Sequence, residues 1–105
     1  MSRPKGSSGR PEQKPKTESK KRVAVLQPQC LEDLEYWVAT DRRVAQKVLG
    51  LMKMCLRDPF TGLGKPEPLK ELGSDVWSRR VTGEDRLVYR VLDDRIDFLQ
   101  ARYHY

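Results

Sequence analysis

A glutamate fenced by two prolines, Pro66-Glu67-Pro68, precedes arginines at 79, 80, 86 and 90 and a terminal Arg102-Tyr103-His104-Tyr105 that holds the chain's single histidine. Proline fixes its own φ and pushes the residue before it toward extended backbone, so Glu67 is a carboxylate that can be aimed. Guanidinium forks match phosphate oxygens. An imidazole is the side chain able to give up a proton near neutral pH. These groups supply what a metal-free cleavage of RNA requires: a base for the 2′-OH proton, fixed positive charge for the extra negative charge at phosphorus, and an acid for the leaving 5′-oxygen. On that scheme Glu67 is the candidate base and His104 the candidate acid. Arg86 and Arg80 stabilise charge, and Lys65 and Lys70 bind the phosphate alongside them. Tyr105 can stack on a base or hydrogen-bond phosphate. No cofactor is called for. With one histidine and two widely spaced cysteines, Cys30 and Cys55, there is no zinc pattern either, and the thiols read as buried small hydrophobes.

The candidates need elements to hold them. From Val76 onward the chain alternates apolar with polar residues in three short segments, roughly Val76–Thr82, Arg86–Leu92 and Arg95–Tyr103, split by turns at Gly83-Glu84-Asp85 and Asp93-Asp94. They predict an antiparallel meander. Trp77, Tyr89 and Phe98 are expected in the core, and Arg79 and Arg90 as ordinary sheet-surface or salt-bridge residues. Upstream, Val23–Leu26 reads as a first strand, and Gln27-Pro28 opens a helix whose apolar face is Leu31, Leu34, Trp37 and Val38. Thr40 or Asp41 caps a second helix over Arg42–Arg57. There Val44, Val48, Leu51, Met52, Cys55 and Leu56 form one stripe, opposite a basic face of Arg42, Arg43, Gln46, Lys47 and Lys53. Asp58-Pro59 ends it, and Phe60–Asp75 is a long loop carrying Glu67. The expected class is α+β: a small antiparallel sheet in the order β-α-α-β-β-β, with two helices on one face and the other face partly open.

At 105 residues the chain is one domain at most. Its +6 charge is local, because residues 1–22 hold eight basic and two acidic residues while residues 23–105 hold thirteen of each. The pI therefore says nothing about nucleic-acid binding by the folded body, and free RNA should be poorly attracted to it. Residues 1–21, rich in Pro, Gly, Ser and Lys, are expected to be a disordered basic tail, either simply solvated or an electrostatic arm for RNA. Residues 22–105 are the expected domain. No apolar run approaches a membrane span and no signal-peptide pattern is present, so a cytoplasmic protein without membrane partners is expected.

Three segments carry a resemblance to a known family: Gly-Lys-Pro-Glu-Pro-Leu-Lys at 64–70, Trp-Ser-Arg-Arg-Val-Thr-Gly-Glu-Asp-Arg-Leu-Val-Tyr-Arg-Val at 77–91, and the terminal Arg-Tyr-His-Tyr. Together, and in this order, they resemble the Txe/YoeB family, toxins of bacterial type II toxin–antitoxin systems within the wider RelE-like group, whose fold is that of microbial ribonucleases. The resemblance spans about residues 22–105. It implies catalytic or RNA-binding roles for Glu67, Lys70, Arg80, Arg86, His104 and Tyr105, cleavage of mRNA in the ribosomal A site, and control by a cognate antitoxin of the Axe/YefM type. A homodimer is compatible with it. Asp85 departs from the pattern, since family members often place histidine before the strand arginine. Lying in the turn, it is expected to alter local charge more than chemistry. The rival reading is a non-catalytic module that grips RNA, ribosome or antitoxin with the same sheet.

Overall fold

The computed structural model describes residues 21–104. Strand β1 (Val23–Leu26) leads into helix α1 (Pro28–Thr40), which turns at Asp41 into helix α2 (Arg42–Arg57). A two-residue strand β2 (Glu67–Pro68) and a 3-10 turn (Lys70–Leu72) then precede β3 (Val76–Arg80), β4 (Arg86–Val91) and β5 (Arg95–Tyr103). The strands form one sheet in the order β1-β5-β4-β3-β2. The α+β class and the helix pair on one face are as expected. Two features differ. The sheet is mixed, because β1 runs parallel to β5 with Val23 opposite Arg95 and Leu26 opposite Phe98. The expected loop also contributes a strand, since extended Glu67-Pro68 pairs with β3. Tyr105 and the basic segment before residue 21 lie outside the described residues.

Local chemistry explains the elements. Pro28 occupies the first turn of α1, where its missing N–H costs nothing. Asp41 stops α1 by turning extended, and its carboxylate then accepts the Val44 N–H to cap α2. The α2 stripe is as predicted, with Val48, Leu51, Met52 and Cys55 buried, Val44 and Leu56 packed beside them, and Arg42, Arg43, Gln46, Lys47 and Lys53 exposed.

On α1 the buried line is Cys30, Asp33 and Trp37, so Leu31 and Val38, both expected in the core, are each 56% exposed. The reason is a polar clamp. Asp33 accepts the Ala101 N–H at 2.9 Å, and the Trp37 indole donates to the Ala101 carbonyl at 3.0 Å. A buried strand-end amide needs both partners, and meeting them rolls the helix away from the orientation its apolar residues alone would choose.

Between helices and sheet lie Leu87, Tyr89, Val91, Ile96, Phe98 and Ala101, with Trp77 packed on their edge. On the sheet's second face lies a smaller cluster of Leu69, Val76 and Val88, flanked by Leu99 and Tyr103; Ser78 is buried beside it, while Glu67 and Arg80 at its edge are exposed. Two slips of register between β4 and β5 put extra residues into β5 and bring Tyr103 opposite Arg86. Bulges of this kind re-aim a strand end. Among the described residues no helix is long and apolar enough to cross a membrane.

Candidate active site

The site begins with a side chain that faces away from it. Adjacent residues of a strand point to opposite faces, so of Arg79 and Arg80 only one can reach the open side. Arg79 is the one turned inward, fully buried rather than on the surface as expected. Its guanidinium donates to the carbonyls of Asp58 at 2.6 Å, Thr61 at 2.9 Å and Leu63 at 2.9 Å, and to the Tyr89 hydroxyl at 3.1 Å. Tyr89 in turn donates to the Pro59 carbonyl at 2.7 Å. A buried cation held by backbone carbonyls gathers the whole start of the loop onto β3. Burial pushes the Tyr89 hydroxyl pKa upward, so it serves as a permanent donor.

Beyond this knot the chain passes through left-handed backbone at Gly64 (φ +84°) and Lys65 (φ +53°). The Gly64 carbonyl accepts the Arg80 N–H at 2.7 Å. A Cβ on Gly64 would stand 3.1 Å from the Arg79 Cβ and 3.2 Å from the Arg80 carbonyl oxygen, so only glycine lets the two segments meet this closely. Pro66-Glu67-Pro68 follows in extended form, with Glu67 opposite Ser78 and Pro68 opposite Trp77. Leu69 then seals the segment from the other side, its N–H on the Val76 carbonyl at 2.8 Å and its side chain buried on Val76 and Val88.

Glu67 is therefore held at both ends, and as the partner of Ser78 it shares the open face with Ser78, Arg80, Arg86 and Val88. Its Oε1 lies 3.6 Å from Arg86 Nη1, the glutamate side chain half exposed and the arginine largely covered. At that exposure the pair adds little to stability; its value is placement. Arg80 and Arg86 are directly opposite each other across β3 and β4, and Tyr103 is opposite Arg86 on β5. His104 follows Tyr103, with its Nε2 2.6 Å from Oδ1 of Asp85, the residue before Arg86. The Asp33–Ala101–Trp37 clamp holds the strand end from which His104 projects.

Glu67, Arg80, Arg86 and His104 are thus gathered across neighbouring strands, although they span nearly forty positions of sequence. Lys65 is exposed just before Glu67 and borders Arg80 through Gly64. Lys70 opens the 3-10 turn beside Val76, at the opposite end of β3 from Arg80. Arg102 belongs elsewhere. Its guanidinium sits 3.6 Å over the Tyr36 ring on the helix side. In the sequence Arg79 reads as a surface residue, Trp37 as part of an apolar face and Asp85 as a departure from the family pattern; the buried cation, the Asp33–Trp37 clamp and the contact of Asp85 with His104 emerge only in the structure. Strict alternation could have flagged that Arg79 and Arg80 must part. For Asp33 no short-range signal exists. Among the described residues no three His, Cys, Asp or Glu side chains gather as a metal-binding group.

A carboxylate, two guanidiniums and an imidazole lining one uncovered sheet face can grip a phosphodiester and move protons on either side of it. Comparison with known proteins places the chain among relatives. The chain is 50% identical over 78 residues to the toxin RelK of Mycobacterium tuberculosis, a match covering 74% of this chain and 92% of that protein. The YoeB dimer of Staphylococcus aureus superposes with a TM-score of 0.75 at 36% identity, over 82% of this chain and all of that one. The YoeB–YefM complex of the same species gives a TM-score of 0.70 at 36% identity, over 80% of this chain and 98% of that one. Residues 26–105 match the family described as YoeB-like toxins of bacterial type II toxin–antitoxin systems. With half of 78 aligned positions identical to a toxin and the family model matched over residues 26–105, the chain belongs to the YoeB-like toxin family.

Proposed function

We propose that the protein is an endoribonuclease that cuts mRNA in the ribosomal A site without a catalytic metal and so halts translation. The observation that carries this reading is the 3.6 Å pairing of Glu67 with Arg86 on the open face, one strand from His104. Glu67 takes the 2′-OH proton, and the 2′-oxygen attacks the adjacent phosphorus. Arg86 and Arg80 hold the charge that develops on the phosphate oxygens, and His104 protonates the 5′-oxygen as its bond to phosphorus breaks. The products carry a cyclic or 3′-phosphate end and a free 5′-hydroxyl. Lys65 and Lys70 bind flanking phosphates, and Tyr105 stacks on a base. Residues 23–105 carry no net charge, so long-range attraction contributes little to capturing free RNA. The ribosome supplies the substrate already positioned, which is where much of the rate gain lies.

The partners in this reading are mRNA and ribosomal RNA, together with a cognate antitoxin of the Axe/YefM type. The antitoxin folds on docking and lays carboxylates near Arg80 and Arg86. The S. aureus YoeB–YefM complex supports the antitoxin, and the S. aureus YoeB dimer supports self-association as a second assembly.

Single-turnover cleavage of a programmed ribosome, with binding measured separately, tests the proposal. Glu67→Gln and His104→Gln should each slow cleavage by about 10²–10⁴-fold with ribosome binding near wild type, the range general acid–base groups contribute. Arg86→Ala should lose both, because a phosphate-gripping guanidinium acts in ground and transition states alike. Wild-type rates in both the Glu67 and His104 variants would falsify the mechanism. Tight ribosome binding by a wild type that never cleaves would instead establish a non-catalytic binding module.

A further inference from the structure

The turn between β3 and β4 is more elaborate than a strand connection requires. The Thr82 hydroxyl accepts the N–H groups of Glu84 at 3.1 Å and Asp85 at 2.9 Å while donating to Asp85 Oδ2 at 2.8 Å. The Asp85 carbonyl accepts the N–H groups of Val81 and Thr82 at 2.9 and 3.2 Å. Asp85 is only 8% exposed, so one carboxylate oxygen is fixed inside the turn and the other, Oδ1, is aimed outward at His104 Nε2, 2.6 Å away. A carboxylate only accepts hydrogen bonds, so this contact requires a proton on Nε2.

We infer that Asp85 is a positioning residue for His104: it holds the ring by Nε2–H and leaves Nδ1 as the nitrogen that delivers the proton to the leaving oxygen. This rests on His104 acting as the acid. In the step that follows, imidazolium Nδ1–H passes its proton to the 5′-oxygen as the phosphorus–oxygen bond breaks, while the 2′-OH proton has gone to Glu67. The ring is left neutral, still carrying the Nε2 proton that Asp85 accepts. The arrangement compensates for the open setting of His104, whose side chain is 59% exposed and would otherwise sample many orientations. A carboxylate that fixes the tautomer and direction of a working histidine is a known device of proton-transfer sites.

The chain has one histidine, so its ring signals in a nitrogen-15 NMR spectrum are unambiguous. The wild type should show a low-field, slowly exchanging Nε2 proton, and Asp85→Ala should lose it. Single-turnover cleavage on programmed ribosomes should fall about 10–100-fold in Asp85→Ala with ribosome binding unchanged, the usual cost of removing a partner that orients a working histidine. Thr82→Val keeps the carboxylate but frees its anchored oxygen. It should broaden the ring-proton signal and cost about 2–10-fold in cleavage, the scale of the one hydrogen bond the carboxylate loses among the three the hydroxyl makes.

Absence of the protected proton in the wild type overturns the proposal. So does an Asp85→Ala variant that lacks the proton yet cleaves at the wild-type rate. Full-speed cleavage by Thr82→Val would assign the Asp85 effect to charge and overturn positioning. A wild type that shows the proton but does not cleave refutes the nuclease reading instead, and no cleaving wild type can give that pattern.

Discussion

Arg79→Met is the most informative single perturbation of the scaffold. Methionine can occupy the apolar part of the arginine's volume beside Cys55 and Tyr89, but it donates nothing. Four acceptors lose a donor: the carbonyls of Asp58, Thr61 and Leu63, and the Tyr89 hydroxyl. Hydrogen bonds to a charged group are worth roughly 1.5–3 kcal/mol each. Simple addition overstates the loss, because Thr61 and Leu63 are exposed and water can reach their carbonyls. The variant also escapes the cost of taking a charged guanidinium out of water. A net destabilisation of about 2–4 kcal/mol remains, centred on the half-buried Asp58 carbonyl and on Tyr89. For a domain of this size that lowers Tm by on the order of 10–30 °C.

A functional consequence accompanies the thermal one. With Asp58, Thr61 and Leu63 released, the loop no longer presents Gly64 to Arg80, and Glu67 loses its aim. Cleavage on programmed ribosomes, measured well below the variant's Tm, should therefore drop by at least about 10-fold, as misplacing a reacting group does. Thermal denaturation followed by circular dichroism, with cleavage assayed on the same preparation, decides the matter. A Tm within a few degrees of wild type would refute the assignment of Arg79 as the knot of the loop. A large fall in Tm with undiminished cleavage at low temperature would refute its link to Glu67.

Other expectations are simpler to check. Burial pushes the Cys55 thiol up to about 11, against a partial pull from the Arg79 charge, and burial together with Asp33 pushes Cys30 up to about 12. Neither should react with iodoacetamide at pH 8 until the protein is unfolded. The same shifts set an alkaline limit. Unfolded thiols ionise near 9.0 while the native ones keep their protons, so Tm should hold below pH 9 and fall progressively toward pH 11. Gly64→Ala forces a side chain onto φ +84° and against the Arg79 Cβ. It should cost about 1–3 kcal/mol by thermal or urea unfolding and slow cleavage disproportionately. Removing residues 1–21, which carry seven basic and two acidic residues, takes away no residue that the sequence pattern assigns to the core. Tm should not move, and an unchanged slope of log affinity against log salt for ribosome binding should show that the segment makes no phosphate contact, each of which would add roughly 0.7–0.9 to that slope.

The elements whose signal is local were legible in the sequence. Strand alternation in Val76–Arg80, Arg86–Val91 and Arg95–Tyr103, the α2 stripe and the Asp41 cap all depend on neighbours within a few residues. Glu67 and the arginines could be picked out as candidates because prolines flank Glu67 and the arginines interrupt otherwise apolar strands. What escaped depends on distant pairings. β1 reads as a strand, but its parallel alignment with β5 is decided seventy residues away. The α1 helix reads as amphipathic, yet its rotation is set by an amide on Ala101 that takes Asp33 into the core and leaves Leu31 and Val38 outside. Arg79 defeats a rule that places charge on the surface, because the carbonyls that accept it come from a loop whose path the rule cannot supply. Asp85 sits in a turn signal that explains it fully until His104 arrives from the far end of the chain.

The position of β5 in the sheet also governs when the protein can exist. β5 lies between β1 and β4, and Val23 finds its partner at Arg95, 72 positions later. During synthesis the first strand emerges with nothing to pair against. The clamp on Ala101 and the ring of His104 are likewise made after every other part of the sheet. Long-range strand pairing of this kind bears its loop-closure entropy before any contact rewards it. The sheet therefore cannot close until β5 has been made and can pair with both β1 and β4. The candidate site draws on β2, β3, β4 and the residue after β5, so it is assembled only when that last strand is in place.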